Sequence, residues 1–399
     1  MTRFWLGGYG TGMDGSAEGI GLLAGDAGRE ADTLAYRGPV APVASPSWLA
    51  QHPTLDVVYA ALEGDAAVQA FARTGESALA SLGDPIAAGQ SVCHLAVAPS
   101  GAYLIASCYG DGRVVRIGLD AVGRLAPDAR DRAAALRAAL LDEPVPDAGP
   151  AGVAAAASDP YASTGSAGLG EGAASASTGS ASLEGGSASV EGGSASAAGA
   201  RVSHAHAAAF LPDGRIATTD LGFDLVRIWR PGATGLLLDH EVVLPRGTGP
   251  RHMVVHPSGH LHVVTEYSCE VFTLAPSPDG HWNIVAATLV TPAAVIGTDF
   301  PAELSRSRDG ATLYAGVRGS NTIAALRVRG AGESVEPIAL SDSGVDWPRH
   351  HLVHEGKMLV AGQRSDTVSL LDLDERTGVP TGIRHRASAP APTHLLLAR

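Results

Sequence analysis

Residues able to carry chemistry recur in this chain at a fixed offset. Six positions before a turn proline or its counterpart stand Cys93, His206, Arg251 and Ala302, and His94, His252 and Glu303 follow three of them. The tripeptide Pro-Arg-His occurs twice, as Pro250-Arg251-His252 and Pro348-Arg349-His350. A second set ends the next apolar run: Tyr109, Asp220, Glu266, Arg318 and Gln363. Apolar packing does not require this mixture of guanidinium, carboxylate and imidazole. Three chemistries suit it. Arg251 and Arg318 offer planar forks for a carboxylate or phosphate oxygen, with Glu266 or His206 moving a proton or activating a water. His204-Ala-His206 and His260-Leu-His262 place two imidazoles on one strand face, a start for a metal site, although no third ligand has a diagnostic spacing. The third is a charged mouth that binds a partner without catalysis.

Each has an ordinary counterpart. An arginine at a strand end is commonly a solvated surface group. Glu266, in VVTEYS, reads equally as a strand-end carboxylate, and His206 as a hydrogen-bonded structural histidine. His260 and His262 follow a turn glycine and read as solvent-facing. Cys93 and Cys108 read as packing residues.

The elements that must position these residues form a repeat. An apolar strand, a Pro/Ser/Asp-Gly turn, a second apolar strand, a polar turn and a third strand recur six times, beginning at SWLAQHPTLDVVYAALEGDAAVQAFAR and ending at RHHLVHEGKMLVAGQRSDTVSLLDL. The turns lie 46 residues apart at Pro53 and Pro99, 45 at Pro212 and Pro257, 51 at Pro257 and Arg308, and 46 at Gly310 and Gly356. A period near 45 with about four strands per unit marks the blades of a β-propeller. Alternating apolar and polar residues predict half-buried antiparallel strands. RFWLGGYG and GIGLLAGD near the start, and THLLLAR at the end, predict a seventh blade built from both termini, which removes two open sheet edges. No Trp-Asp pair ends any unit, and glycine doublets hold no fixed position, so the WD40 and kelch patterns do not apply. The expected fold is all-β: a single seven-bladed propeller over 1–399.

The 113 residues between Pro99 and Pro212 break the period. The expected insertion spans 127–200, with a short amphipathic helix at 129–144 and a flexible Ala/Ser/Gly loop at about 150–200. The 28 Lys+Arg and 41 Asp+Glu give a net charge of −13, which argues against nucleic-acid and anionic-membrane partners. Apolar residues at 45% are enough for a large core, and 50 Gly with 25 Pro suit many short strands and tight turns. Three cysteines without a C-x-x-C pattern, and no long apolar run, point to a reduced, cytoplasmic protein.

Four segments carry a resemblance: SHAHAAAFLPDGRIATTDLG, GPRHMVVHPSGHLHVVTEYS, LYAGVRGSNTIAAL and WPRHHLVHEGKMLVAGQRSDTV. In order and at blade spacing they resemble the lactonase family of seven-bladed β-propellers, which includes propeller-type 6-phosphogluconolactonases and carboxy-cis,cis-muconate lactonising enzymes. The resemblance implies a catalytic set of His206, Arg251, Glu266 and Arg318. Departures are the insertion before His206 and the sequence HEGK where a proline-aspartate-glycine turn is usual. The implied activity is hydrolysis of 6-phosphogluconolactone in the pentose phosphate pathway. Lactonisation of a muconate-type diacid and non-enzymatic ligand binding are the alternatives. The register adds His94, Tyr109, His252, Arg349, His350 and Gln363 as expected substrate-binding residues. The expected partner is a small anionic lactone or sugar acid, bound by a monomer without metal or cofactor.

Overall fold

The computed structural model describes residues 2–25, 33–126, 201–233 and 235–399. The helix and loop expected within 127–200 lie outside them. Seven antiparallel sheets carry all the strands, six of four strands and one of five. Blade 1 takes its innermost strand, Pro392–Leu397, from the C-terminus and its others from Arg3–Gly8, Gly19–Gly25 and Leu34–Pro42. The join runs from Phe4 opposite Leu397 to Gly8 opposite Pro392. Blades 2 to 7 follow in chain order, each starting at the channel: Pro46–Gln51, Val92–Val97, Ala205–Phe210, Pro250–Val255, Phe300–Arg306 and Pro348–His354.

Among the described residues the core is a ring of seven apolar clusters, each filling one interface between neighbouring blades. The cluster joining blades 1 and 7, with Phe4, Leu6, Leu23, Leu370 and Leu395, closes the ring. The smallest, Ile105 with Ala208 and Ile216, joins blades 3 and 4.

This arrangement corrects two expectations. The second strands are not half-buried. Val57–Leu62, Leu261–Thr265 and Thr312–Arg318 are buried throughout, because each is covered on both faces by adjoining blades. Alternation holds for the outermost strands, such as Ser334–Asp342. For the same reason His262 does not face solvent. It is fully buried, with Nδ1 3.0 Å from Thr273 Oγ1, while His260 lies beyond the turn within reach of Ser258. No helix among the described residues is long and apolar enough to cross a membrane.

Candidate active site

In all seven inner strands the pairing with the second strand slips at the same place. Ser47, Cys93, Arg251, Arg349 and Thr393 are the extra residues of a bulge, and His206–Ala207 and Ala302–Glu303 share one opposing residue. A bulge bends the strand and re-aims its side chains. Two consecutive residues per blade thereby reach the channel at two depths, the first at the mouth and the second below it. Thr219 fixes the two bulges most concerned with chemistry. Its hydroxyl accepts from the Ala207 N–H at 3.0 Å and donates to the Arg251 carbonyl at 2.8 Å.

At the mouth, Glu266 Oε2 lies 2.9 Å from Arg251 Nε and 2.9 Å from Arg318 Nη2. The Arg251 N–H is not aligned on that oxygen, so this contact is an ion pair without a good hydrogen bond. Arg318 is also tethered by donation from Nε to the Phe300 carbonyl at 2.9 Å. The Glu266 side chain is 17% exposed against 5% for Arg251 and 7% for Arg318, so the carboxylate is the part of the cluster that meets solvent. Burial alone would raise its pKa, but Arg318 and Arg251 outweigh that and hold it below the usual carboxylate range. Burial and the neighbouring Arg318 lower Arg251 to about 10, which leaves it charged at neutral pH.

Across the mouth stands a second cluster. Arg349 Nη2 donates to the Tyr9 hydroxyl at 2.6 Å, and Tyr9 donates to Glu63 Oε2 at 3.1 Å. Arg349 Nη1 also donates to Gln363 Oε1 at 3.2 Å. Ser47, Trp48, Glu63, Cys93, His206, Arg251, Arg349 and Thr393 enclose a cavity of about 10 Å³, room for roughly one water. The cavity therefore admits nothing larger than a water, and the open space lies above it at the mouth. Burial, then Arg251 and Arg349, hold the His206 imidazole well below its usual range, so it is neutral, and its Nδ1 has no hydrogen-bond partner. Tyr109 is half-buried. It stacks on His204 at 4.4 Å and meets His206 edge-on at 6.3 Å.

His94, His252 and His350 do not line that cavity. They occupy the second depth, packed on Trp48 at 4.3, 5.6 and 5.5 Å, with His394 at 4.0 Å. In the Pro-Arg-His motifs the arginine borders the cavity and the histidine packs in the channel on Trp48. Glu303 completes this plug, 3.6 Å from His252 Nε2 and 3.8 Å from His350 Nε2, and burial raises its pKa well above the ordinary value. Asp220 stands one position before the register of Glu266, which Leu221 occupies, and is structural. It accepts from the His204 and Phe223 N–H groups and pairs with Arg227. All three cysteines are buried with raised pKa values, Cys269 to about 11 and Cys108 to about 12, chiefly through burial. No group of three or more His, Cys, Asp or Glu among the described residues is arranged to hold a metal ion.

Sequence reasoning passed over Tyr9, Glu63, Trp48, Thr393 and His394. Six positions before Pro53 is Ser47, followed by Trp48, so the same offset would have found that pair. Glu63 stands 10 positions after Pro53, the offset of Tyr109 from Pro99, and Tyr9 directly follows the second strand of blade 1, so both share the register of Glu266.

The fold and these clusters define a ring-closed propeller with a cationic and acidic centre at one channel mouth. The chain matches the family described as "Lactonase, 7-bladed beta-propeller" over residues 3–134 and 171–397, and it belongs to that family. It is 29% identical over 184 residues to the protein YwcC of Lactococcus lactis, covering 45% of this chain and 54% of that one. A Staphylococcus aureus protein is 27% identical over 179 residues, 44% of this chain and 52% of its own. The chain thus spans about half the length of the curated relatives it matches. Among solved structures, the Pseudomonas aeruginosa periplasmic gluconolactonase PpgL shares the fold with a TM-score of 0.74 at 20% identity, covering 99% and 98% of the two chains. A putative 6-phosphogluconolactonase of Bacteroides fragilis does so with a TM-score of 0.72 at 18% identity, covering 99% and 97%.

Proposed function

We propose that this protein hydrolyses a sugar lactone, 6-phosphogluconolactone, to the open acid, 6-phosphogluconate. The observation that carries this reading is the single Glu266 oxygen held 2.9 Å from both Arg251 and Arg318, beside a neutral His206. Water adds to the lactone carbonyl carbon and its proton passes to a base. The carbonyl oxygen becomes an oxyanion, and the ring C–O bond then breaks as the leaving alkoxide takes up a proton. His206 is assigned the base, because it is neutral, keeps Nδ1 unpaired and borders a cavity with room for one water. Glu266 is ionised and paired with two cations, so it serves as the holder of the guanidinium groups. Arg251 and Arg318 then stabilise the oxyanion and the carboxylate product. Arg349, held by Tyr9 and Gln363, supplies a third cation.

The test follows lactone disappearance with purified protein against the spontaneous background. Enzyme-dependent hydrolysis should fall sharply in His206→Gln. Glu266→Gln should lower both turnover and affinity by releasing the two arginines. No acceleration over background by the parent protein, on phosphorylated or plain gluconolactone, would end this reading.

A further inference from the structure

Trp347 stands at the same mouth, just before the inner strand of blade 7, with a backbone φ of +61°. A bulky residue in the left-handed region is strained, by about 1–3 kcal/mol, and persists only when its surroundings impose it. They do so here. The Trp347 N–H donates to Asn321 Oδ1 at 2.9 Å, and its carbonyl accepts from the Gln363 N–H at 3.2 Å. The result is a half-buried indole set against two cations, with the Arg318 guanidinium carbon 5.4 Å and that of Arg364 3.5 Å from the ring centre. Arg318 is engaged by Glu266. Arg364 is exposed, and among the described residues its side chain has no carboxylate or hydrogen-bond partner. The nearby Asp346 carboxylate accepts instead from Asn321 Nδ2 at 2.8 Å.

We infer that Trp347 and Arg364 form a subsite that reads the anionic arm of the substrate, a phosphate ester on the exocyclic carbon of the lactone. The inference rests on the hydrolase reading above and adds its specificity. An unpaired fork of donors suits phosphate oxygens. Stacking on an aromatic face holds that fork in place without neutralising it. The indole meets both guanidinium groups, at 5.4 Å for Arg318 and 3.5 Å for Arg364, so the subsite adjoins the cluster at Glu266. On a chain of net charge −13, such a local cation is also what a dianion needs in order to dock.

The experiment uses calorimetric binding of 6-phosphogluconate and of gluconate, which requires no turnover. The parent should bind the phosphorylated acid more tightly. Arg364→Ala should reduce that preference roughly 10- to 100-fold, the loss of charge-assisted hydrogen bonds. Arg364→Lys should restore part of it. Trp347→Gly, which relieves the backbone while removing the platform, should also reduce it. Arg329→Ala, whose side chain pairs with Glu336 on an outer edge, should leave the ratio as it is. Equal binding of both acids by the parent, or an unchanged preference in Arg364→Ala, overturns the subsite. Binding that depends on Arg364 without any hydrolysis overturns the hydrolase reading and leaves the subsite standing. Hydrolysis of the phosphorylated lactone with an unchanged preference in Arg364→Ala does the reverse.

Discussion

Acid should unfold this propeller unusually steeply, and the channel is the reason. His94, His206, His252, His262, His350, His351 and His394 all have pKa values lowered, first of all by burial, to about 3 for His94 and His351 and about 4 for His262. In the unfolded chain each returns to about 6.5. Below that pH the unfolded state binds more protons than the folded one, so stability present above about 6.5 is lost as pH falls. Each histidine costs about 1.4 kcal/mol per pH unit. At pH 5 this is about 2 kcal/mol for each of His94, His262 and His351, and the four imidazoles held well below the usual range add in the same direction, against the 5–15 kcal/mol of a typical fold. Glu303 acts in the opposite sense. Its raised pKa means that the folded state carries the extra proton above about 4.3, so acidification relieves its burial and offsets about one histidine. Urea unfolding followed by circular dichroism at a series of pH values should give an uptake of more than about two protons near pH 5.5. His262→Gln, which can keep the bond to Thr273, should lower that number by about one. An uptake of two or fewer would show that these imidazoles are not neutral in the fold.

Arg251→Ala removes an oxyanion stabiliser and one partner of Glu266, and should lower kcat/KM by roughly 100- to 1,000-fold. Arg251→Lys keeps the charge without the fork and should recover only part, as the same kinetic assay will report. Deleting residues 393–399 removes Leu395 from the ring-closing cluster and the Thr393 hydroxyl bond to the Ser47 carbonyl, and exposes the Arg3–Gly8 edge. Each fully buried leucine lost costs about 1.5–3 kcal/mol. A truncated protein with the parent melting temperature would contradict closure by this strand.

The sequence by itself determined the seven units, because the offset between each inner strand and its turn repeats and the apolar runs return with blade spacing. It also determined which residues could share a mouth. His206 and Arg251 both stand six positions before a proline, and Glu266 and Arg318 both end second strands. Depth was decided only in three dimensions. Adjacent residues in a regular strand point to opposite faces, whereas the bulge turns both toward the axis, so Arg251 and Arg349 stand at the mouth while His252 and His350 join Trp48 in the channel. Asp220 and Glu266 both lie at the close of a second strand, but they stand one position apart in register and differ in role. Ser203, Arg227 and two N–H groups converge on Asp220, whereas two arginines from separate blades meet Glu266. The bond between Tyr9 and Arg349 exists only because the ring closes. It joins the N-terminal part of blade 1 to blade 7, residues 340 positions apart in the chain, and no local pattern can encode a contact that closure creates.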